Sequence, residues 1–376
     1  MTGLHVLIDC TALPVNRGGV GRYLEGLIGG LDPAQLQLTL AVQARDEAHL
    51  RSLAPWATVL PLRPLLANRV LRLLWEQLGL PALAQRSGAT VIHSPHYTFP
   101  VLTRRHRVVT LHDATFFSDP EVHGALKRRF FRWWTQAAWR RASAVVLPSA
   151  ATRSELARFL GEPRAVAVVA LHGVDSTVFH PPTAQAVGDF ASELGLAPDE
   201  TWIAFLGTIE PRKNLGALLE AYAGVRVSLG ASAPSMLIAG GRGWDSAVFA
   251  TLDSLPVASG IRELGYLRLD QLPALLGGAA VVAYPSLGEG FGLPVLEAMS
   301  CGAAVLTTRR LALPEVGGDA VEYSEPDASS LEAALLALLA DPARRSALGA
   351  EAVQRAALLD WSASATHHIA AYEAAG

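Results

Sequence analysis

Short, almost unbroken apolar runs recur along this chain, each closed by turn residues and followed by a stretch of helical spacing. This alternation limits the available folds more than any other feature. The runs are LHVLID (4–9), LQLTLAV (36–42), ATVIHS (89–94), RVVTLHD (107–113), SAVVLPS (143–149) and AVAVVA (165–170). They continue with TWIAFLG (201–207), PSMLIAGG (234–241), GIRELGY (260–266), AAVVAYPS (279–286) and GAAVLTT (302–308). A strand that is apolar on both sides must be covered on both faces, which marks a parallel sheet wrapped by helices. Two such series predict an α/β chain of two Rossmann-like, doubly wound domains. HGVDSTVFHPPTAQ (172–185), with its Pro-Pro pair, is the natural linker. The expected divisions are residues 1–175, residues 176–358, and a last helix over 359–376 that packs back on the first domain.

Composition agrees with this organisation. A chain of 376 residues exceeds one ordinary core, and 51% hydrophobic with only 17% charged residues suits large covered sheets rather than disorder. The two cysteines, Cys10 and Cys301, are far apart and have no metal-ligand spacing, which fits a reducing compartment. MTGLHVLIDC has no basic residue before its short apolar run, so it reads as a strand and not as a signal peptide. No stretch approaches the roughly 18 consecutive apolar residues of a membrane span. The expectation is a cytoplasmic protein, at most peripheral at the inner face of a membrane, with no nucleic-acid partner. Residues 1–175 hold 20 Lys and Arg against 12 Asp and Glu, leaving 11 against 22 in the remainder. That asymmetry fits two domains with different partners, or simple compositional drift.

Parallel sheets bind their ligands at the carboxyl ends of strands, so the residues just past each run are the candidate site. SLGEGFGLPVLEAMSCG (286–302) follows one strand and opens a helix at Pro294. Glycines 288, 290 and 292 permit positive φ and close approach to a ligand. The N–H groups of Phe291, Gly292 and Leu293 fall at a helix start, where anionic groups are favoured. Glu289 on the loop can accept hydroxyls in bidentate fashion, and Glu297 sits about one turn into the helix. A capped helix with a glycine-rich connector is the plainer reading, and it leaves both carboxylates unexplained. After TWIAFLG comes GTIEPRKNLGALLEAY (207–222), placing Arg212 and Lys213 just before another helix. Adjacent cations at a helix start oppose its dipole unless an anion is present, which points to a diphosphate.

Glu289 and Glu297 with seven residues between them, GTIEPRKN and the glycine-rich loop together resemble the donor site of family-4 glycosyltransferases. These are retaining enzymes of GT-B fold, two Rossmann-like domains facing across a cleft, that use nucleotide-sugar donors. The resemblance covers essentially the whole chain, with GGVGRYLEGL (18–27), TLHD (110–113) and VVLPSAATRSEL (145–156) in the first half. HGVD is similar to the family's Asn-Gly-Val-Asp, with His172 in place of Asn. The resemblance implies that Glu289 holds donor-sugar hydroxyls, Phe291, Gly292 and Leu293 offer N–H groups, and Glu297 binds the ribose. Arg212 and Lys213 would neutralise the departing diphosphate, and Gly265, Tyr266 and Leu267 would contact the base. From the first half, Gly19 would approach the diphosphate and His112 would lie over the sugar, its neighbour Asp113 able to orient the imidazole. WEQ, HSP, TLHD and EPRKNL together look most like mannosyltransferases using GDP-mannose, with no further cofactor.

The chemistry demands what these residues supply. Breaking the glycosidic bond leaves negative charge on the diphosphate, which fixed cations and helix-end N–H groups stabilise. The chain has no D-x-D motif, so a metal between spaced aspartates is not evident, and the Arg-Lys pair can replace its charge. The family implies retention by front-face attack. A double displacement with Glu289 as nucleophile competes with it. Other readings are a GT-B epimerase acting on the donor, a nucleotide-sugar-binding protein that does not transfer, and a dinucleotide oxidoreductase. Gly19-Val20-Gly21-Arg22-Tyr23-Leu24 begins like G-x-G-x-x-G but ends in Leu and lies about nine residues past its strand, which weakens the last of these.

The acceptor is expected to be a saccharide, a glycolipid or another hydroxyl compound. HGALKRRFFRWWTQAAWRRASA (123–144) places Leu126, Phe130, Trp133, Trp134 and Ala137 on one helical face and Arg128, Arg129, Arg132 and Arg140 on the other. The commoner arrangement is a helix packed on the first sheet with solvated arginines. The other is a helix resting on anionic lipid, which would favour a lipid-linked acceptor. LLANRVLRLLWEQLGLP (65–81) and HSPHYTFP (93–100) are further candidates for contacting the acceptor.

Overall fold

Every described strand pair is parallel, and the strands fall into two sheets. The computed structural model describes residues 3–15, 17–118, 124–197, 199–256 and 259–376. The first sheet contains β1 (His5–Asp9), β2 (Gln37–Gln43), β3 (Thr58–Leu62), β4 (Val91–Ser94), β5 (His106–Thr110), β6 (Ala144–Leu147) and β7 (Val166–Val169). Its spatial order is β3-β2-β1-β4-β5-β6-β7. The second contains β8 (Trp202–Leu206), β9 (Ser235–Ala239), β10 (Ile261–Gly265), β11 (Val281–Tyr284), β12 (Val305–Thr308) and β13 (Glu322–Ser324), ordered β10-β9-β8-β11-β12-β13. β1, β8, β9, β11 and β12 are buried along their whole length, as runs apolar on both sides require. The order of each sheet reverses once, between β1 and β4 and between β8 and β11. Such reversals place ligands at the carboxyl ends of the flanking strands.

The chain divides into two units, one of residues 1–173 with 359–376 and one of residues 174–358. Asp360 caps the Trp361–Ala375 helix through the Ala363 N–H, and this helix belongs to the first unit. Tyr372 Oη lies 2.9 Å from His93 Nδ1, and His368 Nε2 lies 2.9 Å from Tyr23 Oη. Tyr23 and His93 meet in turn at the Thr110 hydroxyl, at 2.7 and 2.9 Å. Buried hydroxyl and imidazole groups thus satisfy one another in a core that would otherwise penalise each. The helix Gly19–Gly30 has glycine at 26 and 30 because Trp361 fills that space; a Cβ on Gly26 would sit 2.1 Å from its indole.

The basic, aromatic segment forms the helix Ala125–Arg141, while His123 lies outside the described residues. Its apolar face is divided. Trp134 and Ala137 are buried in the core, whereas Leu126, Phe130 and Trp133 are 84%, 37% and 52% exposed. Nor are all its arginines solvated, because Arg132 Nε donates to the Phe116 carbonyl at 2.6 Å. Among the described residues, no helix is long and apolar enough to cross a membrane.

Candidate active site

The two chain exits flanking the β8–β11 reversal carry the charged residues. The first is the single turn Pro211–Lys213, followed by Asn214 at φ 58° and the helix Leu215–Leu229. Asparagine tolerates this left-handed conformation better than most residues. Its amide donates to the carbonyls of Pro285 (3.2 Å) and Pro326 (2.7 Å), tying the first exit to the second. The second exit runs from Pro285 to Gly292. There the Leu287 N–H donates to the Arg212 carbonyl at 2.8 Å, so the two connections form one hydrogen-bonded structure. Gly292 has φ 112° and starts the helix Leu293–Ser300 without a side-chain cap, with Pro294 in its first turn. Gly288 does not take positive φ; it is small because a Cβ would lie 2.9 Å from Leu311.

Arg212, Lys213 and Glu289 are in direct contact. Arg212 Nη1 donates to Glu289 Oε2 at 2.5 Å and to the Gly288 carbonyl at 2.6 Å, while Nη2 reaches Glu210 Oε1 at 2.6 Å. Lys213 Nζ donates to Glu289 Oε1 at 2.5 Å and to the Tyr284 hydroxyl. That same Oε1 accepts from Tyr284 Oη (2.9 Å) and Ser286 Oγ (2.8 Å). Burial alone would raise the Glu289 pKa, but the Arg212 and Lys213 charges outweigh it and hold the carboxyl down at about 2. Lys213 is pulled below the ordinary lysine value by burial and by Arg212, and Glu289 and Glu210 offset this only in part. The cluster thus holds two cations against two carboxylates, with both of its cations engaged by Glu289.

The sequence reading expects Glu289 to face a ligand freely. Here both of its oxygens are engaged by protein donors, and it is the counter-ion of the cationic pair. Tyr284, Ser286 and Glu210 complete the cluster, and sequence reasoning missed all three. The one available signal was a run of polar groups, YPS and IEPRK, at the ends of two adjacent strands.

The remaining candidates are dispersed. Glu297 lies one turn into the Leu293–Ser300 helix and is 2% exposed. Phe291 and Leu293 are buried beside Gly292. Gly265 (φ 65°) ends the edge strand β10, and Tyr266 and Leu267 follow it; Tyr266 is exposed and its ring covers Gly241.

Gly19 and His112 belong to the first unit. Gly19 opens the Gly19–Gly30 helix, with nothing within 4 Å of where a Cβ would stand. His112, just past β5, is half-buried and packs edge-on against Tyr23 at 4.9 Å. Its imidazole is oriented by the Pro95 carbonyl, 2.7 Å from Nε2. Asp113 has a different task from the one the sequence suggested: its carboxylate accepts from the Thr115 N–H and hydroxyl. His172 is a core residue, stacked on Trp361 at 5.6 Å.

Residues 17–178 match the family described as Glycosyltransferase Family 4, and residues 189–355 match Glycosyl transferases group 1. The chain is 32% identical to the O-antigen chain mannosyltransferase B of Escherichia coli over 285 residues, which cover 75% of this chain and 74% of that protein. It is 34% identical over 227 residues to a D-inositol 3-phosphate glycosyltransferase of Segniliparus rotundus, covering 58% of this chain and 49% of that protein. Among solved structures, sucrose-phosphate synthase from Thermosynechococcus elongatus matches with a TM-score of 0.78 at 19% identity over 98% of both chains, which is a likeness of fold.

Proposed function

This chain belongs to the family-4, group 1 glycosyltransferases, and from that premise we propose that it moves a mannosyl unit from GDP-mannose to a saccharide hydroxyl. The observation that carries the reading is the buried Glu289–Arg212–Lys213 cluster at the carboxyl ends of β8 and β11. As the glycosidic C–O bond lengthens, charge develops on the leaving diphosphate. Arg212 and Lys213 are already held in place to receive it, so little reorganisation is needed at the moment of reaction. An arriving diphosphate competes with Glu289 for both cations. Release of Glu289 would free its carboxylate for the hydroxyls of the same donor sugar, so that phosphate and sugar recognition become one event. Glu297 is assigned to the ribose, Gly265–Leu267 to the base, and the N–H groups of Phe291, Gly292 and Leu293 to the sugar phosphate. In the first unit we assign the diphosphate to Gly19 and the sugar to His112. Configuration is retained by front-face attack, the acceptor proton passing to the departing phosphate oxygen.

A polysaccharide acceptor is supported by the likeness to the O-antigen mannosyltransferase. A thermal-shift panel tests the donor, because a ligand that binds only the folded state stabilises it by about 4 kcal/mol at a thousand times its Kd. GDP-mannose should raise the melting temperature more than UDP-glucose or ADP-glucose; a larger rise with either of those would overturn the donor assignment. Consumption of donor only when a saccharide acceptor is present separates transfer from mere binding, and an altered donor sugar without acceptor would indicate epimerisation.

Contact with the cytoplasmic face of an anionic membrane is part of the same proposal. Leu126, Phe130 and Trp133 stand exposed on the Ala125–Arg141 helix, with Lys127, Arg129, Arg140 and Arg141 exposed on the same element. Apolar and aromatic groups beside cations suit a lipid interface. Replacing Leu126, Phe130 and Trp133 by alanine should lower co-sedimentation with phosphatidylglycerol vesicles by about tenfold or more, since each such side chain contributes about 1.5–3 kcal/mol when fully buried. Turnover on a soluble acceptor should be unchanged. Undiminished co-sedimentation would remove the helix from membrane binding.

A further inference from the structure

The turn that follows β4 is strained, and several side chains hold it in place. The Thr98 N–H donates to the His96 carbonyl at 2.6 Å across Tyr97, whose φ is 56°. A three-residue turn with a bulky residue in the left-handed region is one that chains ordinarily avoid. Two neighbours on the Arg69–Ser87 helix clamp it. Glu76, 1% exposed, accepts from the Thr98 hydroxyl at 2.6 Å. Gln77 donates to the Phe99 carbonyl and accepts from the Val101 N–H, both at 3.0 Å. On the far side, Tyr97 Oη accepts from the Asp113 N–H at 3.0 Å. Burial and the nearby Asp9 push the Glu76 carboxyl up to about 8, so a neutral acid occupies the interior of the clamp. Strain that the surroundings over-determine is more often found at working sites than in plain connections.

What the turn presents is the Pro95 carbonyl, 2.7 Å from His112 Nε2. A carbonyl oxygen only accepts, so Nε2 must carry the proton. Burial lowers the His112 pKa, so the ring is neutral near pH 7 and Nδ1 keeps its lone pair. No described residue hydrogen-bonds Nδ1, and the ring is fenced by Tyr23, His96, Tyr97 and His172 at centroid distances of 4.9, 5.8, 6.0 and 6.1 Å.

We propose that the Pro95–Thr98 turn, clamped by Glu76 and Gln77, is a positioning device that fixes His112 as its Nε2–H tautomer, so that Nδ1 accepts a hydrogen bond from a sugar hydroxyl. Glu76 and Gln77 are positioning residues, acting on substrate only through the turn and His112. The inference rests on the assignment of His112 to the sugar.

Histidine-15N-labelled protein at pH 7.5 tests it, because two-bond 1H–15N correlations distinguish the two neutral tautomers from imidazolium. The His112 signal is identified by its loss in His112→Asn. The wild type should show a single Nε2–H form, and so should Glu76→Gln, which keeps a neutral acceptor for the Thr98 hydroxyl. Thr98→Val and Gln77→Ala each open one clamp and should give mixed tautomers. Their kcat on GDP-mannose should fall about tenfold while KM for the donor stays constant, the pattern of a misoriented group. An Nδ1–H or imidazolium form in the wild type overturns the proposal whether or not the variants fold, and so does an unchanged tautomer in both clamp variants. Either result leaves the donor site untouched, because nucleoside-diphosphate binding does not pass through His112. The Nε2–H form together with full turnover in His112→Asn would instead overturn the assignment of His112 to the sugar.

Discussion

Replacing Arg212 and Lys213 together by methionine is expected to weaken GDP binding by about a thousandfold. Each hydrogen bond to a charged partner contributes about 1.5–3 kcal/mol, so losing one from each cation costs about 4 kcal/mol, and every 1.4 kcal/mol is tenfold. Both side chains are nearly enclosed, at 16% and 10% exposure, so solvent screens little of this. The substitution also leaves Glu289 and Glu210 without their counter-ions, and the variant should be less stable for that reason. Titration calorimetry at a temperature where circular dichroism shows the variant folded reads affinity apart from stability. Affinity within threefold of wild type would take the diphosphate away from this pair.

Glu289→Gln should have the opposite signature. Turnover should fall by about 10²–10³, the range found when one preorganised polar group is removed from a reaction centre. GDP affinity should be unchanged or higher. Glutamine keeps the shape of the side chain and can still accept from Tyr284 or Ser286, yet it no longer competes for Arg212 and Lys213 as a charge. A carboxylate that served only to hold the cations in place would give a different result, a parallel loss of GDP affinity and turnover. Wild-type turnover would end the assigned role outright.

Most of the fold was legible because its dominant signal is local. β8, β9, β11 and β12 are apolar on both faces, and a run of that kind has few homes other than a covered parallel sheet. β3 and β13 escaped the sequence reading for a shared reason, since both are edge strands with one side less constrained. Pro61 within β3 breaks the strand pattern and is tolerated only because an edge can lack a donor. β13 has three half-buried residues and no pattern to detect. GIRELGY was read as one more covered strand, yet it became the edge strand β10, with Glu263 exposed and paired to Arg242 at 2.8 Å.

The candidate site was legible as a list of charges and illegible as a geometry. Spacing placed Glu289, Arg212 and Lys213 after strands, but only the sheet order made β8 and β11 neighbours. The pairing of Glu289 with both cations follows from that adjacency, as does the inclusion of Tyr284 and Ser286. His112 shows the same limit. Sequence proximity pointed to Asp113 as its orienting group, whereas the Pro95 carbonyl, seventeen positions away, holds the ring because β4 and β5 pair side by side.

The most direct test is the distance from Lys213 Nζ to the nearest β-phosphate oxygen in a structure of the protein with GDP bound. We expect about 2.7–3.2 Å, with Arg212 on the same phosphate and Glu289 displaced from at least one of the two cations. A diphosphate bound elsewhere, with Glu289 still engaging both cations, would contradict the account.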